Sequence, residues 1–518
     1  MSDVIPKVNS ETVYGGDLVF DGGVRLCACA DAEDVAAKFK TMLSRICPSV
    51  VFSGDGAVTV SIEKDALLPH EGYVIDINGD ALTLIAANAA GWTYALVTLR
   101  QLLKPVGKSV ACPCCRIEDA PRFKYRGLML DEARNFFGEE EVKRLLDLMC
   151  LYKLNVLHWH LSDDQGYRVE SEAFPLLTTV STRRNDTQVG GVKSGKFMGT
   201  EASGYYTKSK IRAIVEYAKE RNIVVVPELE MPSHCSAILA AYPKLSCTGE
   251  KKEVPTTFGT LHRSFCPGKR ETYEFLDKLL DEWCELFPSK LFHIGADETA
   301  GSLWKNCPDC RKTVAENGLA GTHELLPLFV NRIADMLAAK GKLPMIWSDK
   351  LLRGVRKYVT YEAWLPLDRK AVAAEVSSGR KFVVAPYDRY YACQPYCMIP
   401  LKKTYEFEPT SITADKSDAG IFGVEMPMWT EWVYDRVKLD FNLFPRLCAL
   451  AETGWTAASR KSLHDFKRRW NAQKPLLDSF GVGYAKDKLT SPGAFARNKG
   501  TYIWKTVDQY DEVRRNKL

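Results

Sequence analysis

From Arg126 onward, short apolar segments alternate with helical segments, and this alternation constrains the fold more than any other feature. Segment 139–152 is the clearest helix, because its apolar residues recur at helical spacing along one face. Strands that alternate with helices form a parallel sheet, since each helix returns the chain to the start of the next strand. Eight repeats predict an α/β fold, a (β/α)8 TIM barrel with insertions. The eight predicted strands are segments 127–131, 155–161, 223–230, 291–297, 344–347, 359–364, 382–386 and 420–426.

The 518-residue chain is too long for one minimal domain, so we expect structure beyond the barrel. Residues 1–118 are predicted to form a small α/β domain that precedes a barrel domain of residues 119–485. Residues 486–518 are predicted to form a C-terminal extension that packs on the barrel. The small domain gathers no catalytic-looking polar residues, which indicates a scaffold role. Its predicted strands are 58–62, 73–77 and 82–86, and its predicted helices are 32–43 and 89–103.

Charge and composition exclude several kinds of partner. The net charge is only +5 and no block of lysines and arginines stands out, so neither nucleic acid nor an anionic membrane is expected to bind. No apolar stretch approaches the roughly 20 residues of a membrane helix. The N-terminal sequence lacks a charged head followed by an apolar run, so we expect no signal peptide and a cytoplasmic protein.

Sixteen cysteines are present, and in a cytoplasmic protein we expect reduced thiols. Two clusters stand out: Cys112, Cys114 and Cys115, and the pair Cys307 and Cys310. A Cys-x-x-Cys pair supplies half of a zinc site. Neither a second such pair nearby in the sequence nor a nearby pair of histidines completes the spacing, which favours structural thiols over a metal site.

The run LFHIGADETA at 291–300 places two adjacent carboxylates, Asp297 and Glu298, after a predicted strand. Neighbouring side chains at a strand end point in different directions, so the two acids are suited to different tasks. One acid donates a proton while the other holds a second group of the same ligand. Such a division of roles between carboxylates is typical of glycosidic and related acid chemistry.

Polar and aromatic residues also follow the other predicted strands, where the active sites of TIM barrels lie. Tryptophans among them suggest a sugar site, because pyranose rings stack on indoles; any one of these tryptophans alone is as well explained as core filler. The Gly-rich segment 183–204 is predicted to be a mobile loop over the same face. The strand-end residues are Asp131, Arg134, His160, Asp163, Glu230, His234, Asp297, Glu298, Trp347, Trp364, Tyr391, Trp429 and Glu431.

Several motifs, in order along the chain, resemble those of glycoside hydrolase family 20, the β-N-acetylhexosaminidases. The resemblance covers the whole barrel, and the first domain resembles the small α/β domain that precedes the barrel in this family. The matching runs are RGLMLDEARNFF at 126–137, KLNVLHWHLSDDQGYRVES at 153–171, VVPELEMPSHCSA at 225–237, HIGADE at 293–298, GVEMPMWTEWV at 423–433 and PRLCALAETGW at 445–455.

The resemblance implies a role for each matched catalytic residue. Glu298 corresponds to the general acid, and Asp297 to the acid that orients and stabilises the 2-acetamido nitrogen of the substrate. The nucleophile is then the acetamido oxygen of the substrate itself, which closes on C1 to form an oxazolinium ion. Tyr391 corresponds to the tyrosine that hydrogen-bonds the acetamido carbonyl. Asp163 and His234 correspond to a supporting pair that tunes the general acid.

The resemblance also implies the sugar contacts. Arg134 corresponds to the arginine that binds the hydroxyls at C3 and C4, and Glu431 to the acid that binds those at C4 and C6. Trp347, Trp364 and Trp429 correspond to the aromatic box around the acetamido methyl group and the sugar ring. Neither a metal nor an organic cofactor is implied.

Three positions depart from the family pattern. Cys393 stands where an acid usually follows Tyr391 by two positions, which leaves the choice between gluco and galacto sugars open. Glu230 replaces a shorter aspartate, and Ser233 replaces a glycine; both changes should adjust geometry without changing the reaction.

The expected protein is therefore an exo-acting, retaining β-N-acetylhexosaminidase. Its partners would be glycans or oligosaccharides with a terminal β-linked N-acetylglucosamine or N-acetylgalactosamine, and it would be a monomer or a homodimer. Three alternatives stay open: a biosidase that releases a disaccharide, a sugar-binding barrel without catalysis, and a zinc-dependent hydrolase built on the cysteine clusters.

Overall fold

A closed barrel of eight parallel strands forms the centre of the molecule in the computed structural model, which describes residues 2–191, 194–259 and 263–506. The strands follow one another around the barrel in chain order, and the last pairs with the first. The predicted (β/α)8 barrel is thereby confirmed, and each predicted strand overlaps an observed one. The strands are Tyr125–Asp131, Val156–His160, Val224–Met231, Leu291–Gly295, Leu343–Trp347, Thr360–Ala363, Phe382–Val384 and Ile421–Met428.

Amphipathic helices surround the barrel and bury their apolar faces against it. In the helix Glu139–Leu151, Val142, Leu145 and Met149 are fully buried, as the helical spacing predicted. A local signal fixes the start of the helix Lys208–Lys219, where the side chain of Thr207 accepts a hydrogen bond from the Lys210 amide and caps the helix. The other long helices include Arg270–Leu286, Leu325–Ala339, Arg369–Ser377, Arg436–Leu443, Arg446–Trp455 and Leu463–Ser479.

A mixed sheet with helices precedes the barrel. Its helices are Glu33–Ile46 and Ala89–Leu102. Its strands are Ser10–Phe20, Gly23–Ala28, Val51–Phe52, Val58–Lys64, Tyr73–Asn78, Ala81–Ala86, Lys104–Val106 and Ser109–Asp119.

A buried ion pair joins this sheet to the barrel. The Lys153 ammonium lies 3.1 Å from a carboxylate oxygen of Asp119, and both side chains are fully buried. Tyr73 and Trp455 also donate hydrogen bonds to that Asp119 oxygen, at 2.7 and 2.8 Å. Burial lowers the pKa of Lys153, and Asp119 opposes that effect.

Segment 183–204, which was predicted to be a loop, contains two short antiparallel strand pairs. Arg183–Arg184 pairs with Ala202–Ser203, and Gln188–Val189 pairs with Lys196–Phe197. Residues 192 and 193 lie outside the described residues, and the mobility of the segment stays a prediction.

The C-terminal extension contributes the helix Ala494–Thr506, and residues 507–518 of the predicted extension lie outside the described part of the chain. The boundaries of the three predicted domains stay predictions. Among the residues that the structure describes, no helix combines the length and apolar character needed to cross a bilayer.

Candidate active site

A cavity of about 250 Å³ opens at the carboxyl ends of the barrel strands. It brings together nine of the ten predicted site residues, and the tenth, Trp347, lies beneath it with 2% of its surface exposed. A wider cleft of about 920 Å³ lies between the small sheet and the barrel, but Glu118 and Asp418 on its walls are ion-paired with arginines. The residues that line the smaller cavity are Arg134, Asp163, His234, Asp297, Glu298, Trp364, Tyr391, Cys393, Gln394, Trp429, Glu431, Trp432 and Trp504.

The backbone turns sharply at the acid pair. Ala296 (φ 73°) and Glu298 (φ 47°) both have left-handed conformations, which L-residues adopt only when the surrounding structure imposes them. The turn directs Asp297 inward, with 12% of its side chain exposed, and leaves Glu298 in the cavity with 39% exposed. The Glu298 amide donates a hydrogen bond of 2.8 Å to Asp349, which holds the turn. The two acids therefore occupy different environments, as a division of roles requires.

Asp297 is a buried carboxyl with an oxygen available for a ligand. Burial, with a smaller contribution from nearby Asp349, Glu228 and Glu298, raises its pKa to about 7 although His234 opposes this shift. Within the described residues its Oδ1 atom has no hydrogen-bond partner. A buried acceptor of this kind is costly to leave unsatisfied, so an N–H group of a ligand would be bound strongly there.

His234 connects the acid pair to deeper carboxylates. Its Nδ1 atom lies 3.3 Å from oxygens of both Asp163 and Asp164, and its Nε2 atom lies 3.3 Å from Glu298 and 3.9 Å from Asp297. Burial alone would lower the pKa of His234, but Asp163 and Asp164 raise it well above the usual range. The imidazole is therefore a cation at neutral pH, placed beside Glu298.

Arg134 reaches the cavity from a polar network that fixes its position. Its guanidinium lies 2.8 Å from Asp163 and 4.9 Å from the centre of the Trp429 ring. Behind it, the buried Arg184 donates hydrogen bonds to the backbone oxygens of Arg134 and Gln165. Burial lowers the pKa of Arg184 to about 9. The role of Arg184 has no signal in the sequence, since it depends on how segment 183–204 folds back.

Aromatic side chains form one wall of the cavity. The rings of Trp364 and Tyr391 lie nearly parallel, 6.2 Å apart and inclined by 17°. Trp429 lies 6.3 Å from Tyr391 and 5.7 Å from the deeper Trp347. Burial raises the pKa of Tyr391 well above its usual value, so its hydroxyl stays a hydrogen-bond donor.

Asp349, which supports the cavity, and Trp504, which lines it, are among the residues that the sequence prediction missed. Asp349 accepts hydrogen bonds from the Glu298 amide (2.8 Å) and the Trp364 indole (3.0 Å), so it orients two site residues at once. Its position two residues beyond the strand Leu343–Trp347 is a signal that strand-end reasoning could have used. Trp504 comes from the C-terminal helix, and nothing in its local sequence indicates that it reaches the barrel.

The residues that depart from the family pattern fit their surroundings. Neither carboxyl oxygen of Glu230 has a hydrogen-bond partner in the described part of the chain, and burial raises its pKa well above the usual value. A Cβ atom at Gly295 would lie 1.7 Å from Glu230 Oε2, so the longer acid depends on a glycine opposite. Ser233 accepts a hydrogen bond from Thr299 (2.9 Å), and Cys393 lines the cavity.

Both histidines of the strand Val156–His160 lie inside the barrel. His158 lies 2.8 Å from Glu425, and His160 lies 3.0 Å from Asp163 and also contacts Glu228. His160 therefore orients Asp163 from below, while neither histidine lines the cavity.

Two acids of unequal exposure lie beside stacked aromatic rings at the mouth of this TIM barrel. This arrangement is typical of glycoside hydrolases. The catalytic-domain model of glycosyl hydrolase family 20 matches residues 123–458, and the model of domain 2 of the same family matches residues 1–120. The chain belongs to glycosyl hydrolase family 20.

The sequences of related proteins match nearly the whole chain. A beta-hexosaminidase of Porphyromonas gingivalis is 31% identical over 90% of this chain, which spans 62% of that protein. A beta-N-acetylhexosaminidase of Cellulomonas fimi is 30% identical, with 95% of this chain and 97% of that protein covered. The crystal structure of an exo beta-N-acetylglucosaminidase of Vibrio harveyi in complex with N-acetylglucosamine has a TM-score of 0.84 at 30% identity, covering 94% of this chain and 78% of that one.

Proposed function

We propose that this protein is an exo-acting, retaining β-N-acetylhexosaminidase that removes terminal β-linked N-acetylglucosamine or N-acetylgalactosamine. The observation that carries the proposal is the pair of adjacent acids, of which Asp297 is buried with a free oxygen and Glu298 faces the cavity. The names of the relatives point to the same substrate class. The reaction then needs no nucleophile from the protein.

In the first step, Glu298 protonates the glycosidic oxygen while the acetamido oxygen of the substrate attacks C1 from the opposite face. The leaving sugar departs as an alcohol, and the bound sugar becomes a cyclic oxazolinium ion. In the second step, Glu298 takes a proton from water, which attacks C1 and restores the acetamido group with net retention. The His234 cation beside Glu298 stabilises its carboxylate after the proton has left.

Asp297 and Tyr391 hold the acetamido group for this attack. The free Oδ1 of Asp297 accepts the amide N–H, and its negative charge offsets the positive charge that develops on the nitrogen. The Tyr391 hydroxyl donates to the acetamido oxygen and aligns it with C1. Holding the two reacting atoms together raises their effective concentration, which is a large part of the rate gain.

The other side of the cavity binds the end of the glycan. Arg134 and Glu431 bind the hydroxyls at C3, C4 and C6, and the indoles of Trp364 and Trp429 pack against the sugar and its methyl group. The cavity volume of about 250 Å³ is below the range of about 300–1,000 Å³ typical of drug-sized ligands. One sugar fits this space better than two, which favours the exo reaction over a biosidase.

A panel of aryl β-glycosides tests this function. We expect N-acetylglucosaminides and N-acetylgalactosaminides to be cleaved at least about 10³-fold faster than the plain glucosides, because only the former carry the nucleophile. N-acetylglucosamine-thiazoline, a stable analogue of the cyclic intermediate, should inhibit strongly. Equal cleavage of plain glucosides would contradict the mechanism, and no cleavage of any member would favour a sugar-binding barrel.

Trp504 is proposed to contact the leaving sugar. We expect Trp504→Ala to lower kcat/KM for chitotriose by about 3- to 10-fold, the usual contribution of one aromatic contact. Inhibition by the thiazoline should not change, since that molecule fills only the terminal-sugar position. Trp504→Phe is the matched control and should keep most of the activity; equal losses with both ligands would contradict the assignment.

The cellular setting is also part of the proposal. All sixteen cysteines lie within the described residues and none is in a disulfide, which supports residence in a reducing compartment such as the cytoplasm. A monomer or a homodimer is proposed, acting on glycans or oligosaccharides rather than on nucleic acid or membranes. Cell fractionation and light scattering on the purified protein measure these two properties.

A further inference from the structure

Four cysteines from separate parts of the sequence meet beside the active-site loops. The sulfur atoms of Cys247, Cys266, Cys307 and Cys310 all lie within 4.8 Å of one another. Three of the sulfur–sulfur distances are 3.5 Å (Cys266 to Cys310), 3.6 Å (Cys266 to Cys307) and 3.7 Å (Cys247 to Cys310). A disulfide bond has a sulfur–sulfur distance of about 2.05 Å, so the four thiols are close together but not bonded.

These distances are those of a metal tetrahedron. Zinc binds thiolates at about 2.3 Å, and a regular tetrahedron of that size has sulfur–sulfur edges of about 3.8 Å. We propose that Cys247, Cys266, Cys307 and Cys310 form a structural zinc site. A set of four sulfur ligands in tetrahedral arrangement is closed to water and substrate, which is the arrangement of structural and not catalytic zinc.

The local sequence places the sulfur atoms of Cys307 and Cys310 on one side and that of Cys266 on the other. Cys307 is the residue before the helix Pro308–Glu316 and Cys310 lies in its first turn, so the Cys-x-x-Cys spacing directs both sulfurs to one side. Opposite them, Gly268 follows Cys266 by two residues and packs against the first turn of this helix. A Cβ atom at Gly268 would lie 2.3 Å from the Asp309 carbonyl carbon, so glycine permits this close approach.

A short backbone pairing adds the fourth ligand. Ser246 and Phe265 form an isolated β-bridge, and the Cys266 amide donates a hydrogen bond of 2.8 Å to Leu245. This pairing brings Cys247 next to Cys266. Three of the sulfur-bearing residues are buried and Cys247 is half-buried, which gives an ion a route in from solvent.

The zinc would tie together two loops that carry the reacting groups. Cys247 and Cys266 lie on the loop after the strand Val224–Met231, which also carries His234, whereas Cys307 and Cys310 lie on the loop that begins with the acid pair. The Trp304 indole already donates hydrogen bonds across these loops to Ser264 and Phe265. This inference goes beyond the proposed function and does not depend on it, because the site holds no substrate.

Metal analysis of the full chain, purified without a chelator and without a histidine tag, tests the proposal. We expect inductively coupled plasma mass spectrometry to find about one zinc ion per chain. Cys310→Ser and Cys247→Ser should each lose most of the zinc. Cys284→Ser is the matched control, because Cys284 is also half-buried but lies outside the cluster, and it should keep the zinc.

A second measurement on the unchanged chain covers the case in which a variant does not fold. An organomercurial should release the zinc as four thiols react, and growth on cobalt should give the visible absorption of a tetrahedral cobalt thiolate. Absence of zinc, iron in its place, or a disulfide between any two of these cysteines would overturn the proposal. Because metal content is read without any substrate, an inactive enzyme would leave this test intact.

Discussion

Replacing Glu298 with glutamine should lower kcat/KM for an alkyl or sugar leaving group by about 10²- to 10⁴-fold, the range of a lost general acid. Glutamine keeps the size of the side chain but has no proton to donate to the glycosidic oxygen. The loss should become much smaller with 2,4-dinitrophenyl N-acetyl-β-glucosaminide, because that leaving group departs without a proton. Steady-state kinetics across a series of aryl leaving groups measures this dependence.

Glu216→Gln is the control for this variant. Glu216 is exposed, lies on the helix Lys208–Lys219 and is ion-paired with Lys219, away from the cavity. Its substitution should change no kinetic constant. A loss in Glu298→Gln that is the same for every leaving group would contradict the assignment of Glu298 as the proton donor.

Asp297→Asn should lower kcat by about 10²- to 10³-fold and, at neutral pH, raise stability. The activity falls because the amide cannot offset the positive charge of the oxazolinium ion. The preference for N-acetylated over plain substrates should shrink by a similar factor, since the Asp297 contact exists only with the acetamido group. Kinetics on the paired substrates measures both effects.

The stability change has a defined dependence on pH. The pKa of Asp297 is raised by burial to about 7, so the folded state holds this proton more tightly than the unfolded state. The cost of ionising Asp297 therefore accumulates as pH rises from about 4 to 7 and is constant above, reaching at most about 4 kcal/mol. Asparagine avoids that cost, so Tm should exceed that of the parent by more at pH 8 than at pH 5.

Asp335→Asn is the control for this pH dependence, because the pKa of Asp335 is shifted in the opposite direction. Asp335 is exposed, and its hydrogen bond from Arg356 lowers its pKa, so its contribution to stability is present at neutral pH and is lost on acidification. This variant should be no more stable than the parent at pH 8. If Asp297→Asn gave the same Tm difference at both pH values, the raised pKa of Asp297 would be refuted.

The features that can be predicted from the sequence are those that depend on local pattern or on position along a strand. The eight strands were recognised because their apolar runs are bounded by helices, and most cavity residues were found because they follow strand ends. Trp347 was predicted for the same reason but lies beneath the cavity, since the pattern fixes its strand and not its depth.

Contacts between distant segments could not be predicted. Cys247 and Cys266 have no spacing motif, and only the packing of the two loops brings them beside the Cys-x-x-Cys pair at Cys307 and Cys310. Trp504 likewise reaches the cavity from more than 200 residues beyond the acid pair. In each case the chain fold, and not the local sequence, sets the neighbours.

The ion pair of Lys153 and Asp119 makes the barrel depend on the small domain that precedes it. Cutting the gene after the strand Ser109–Asp119 would remove the counterion of Lys153 together with Tyr73, and would expose the face of the barrel around Lys153 and Trp455 to water. A barrel acquired alone by recombination would start without these contacts. The small domain thus supports the barrel through this shared face, although none of its described residues lines the cavity.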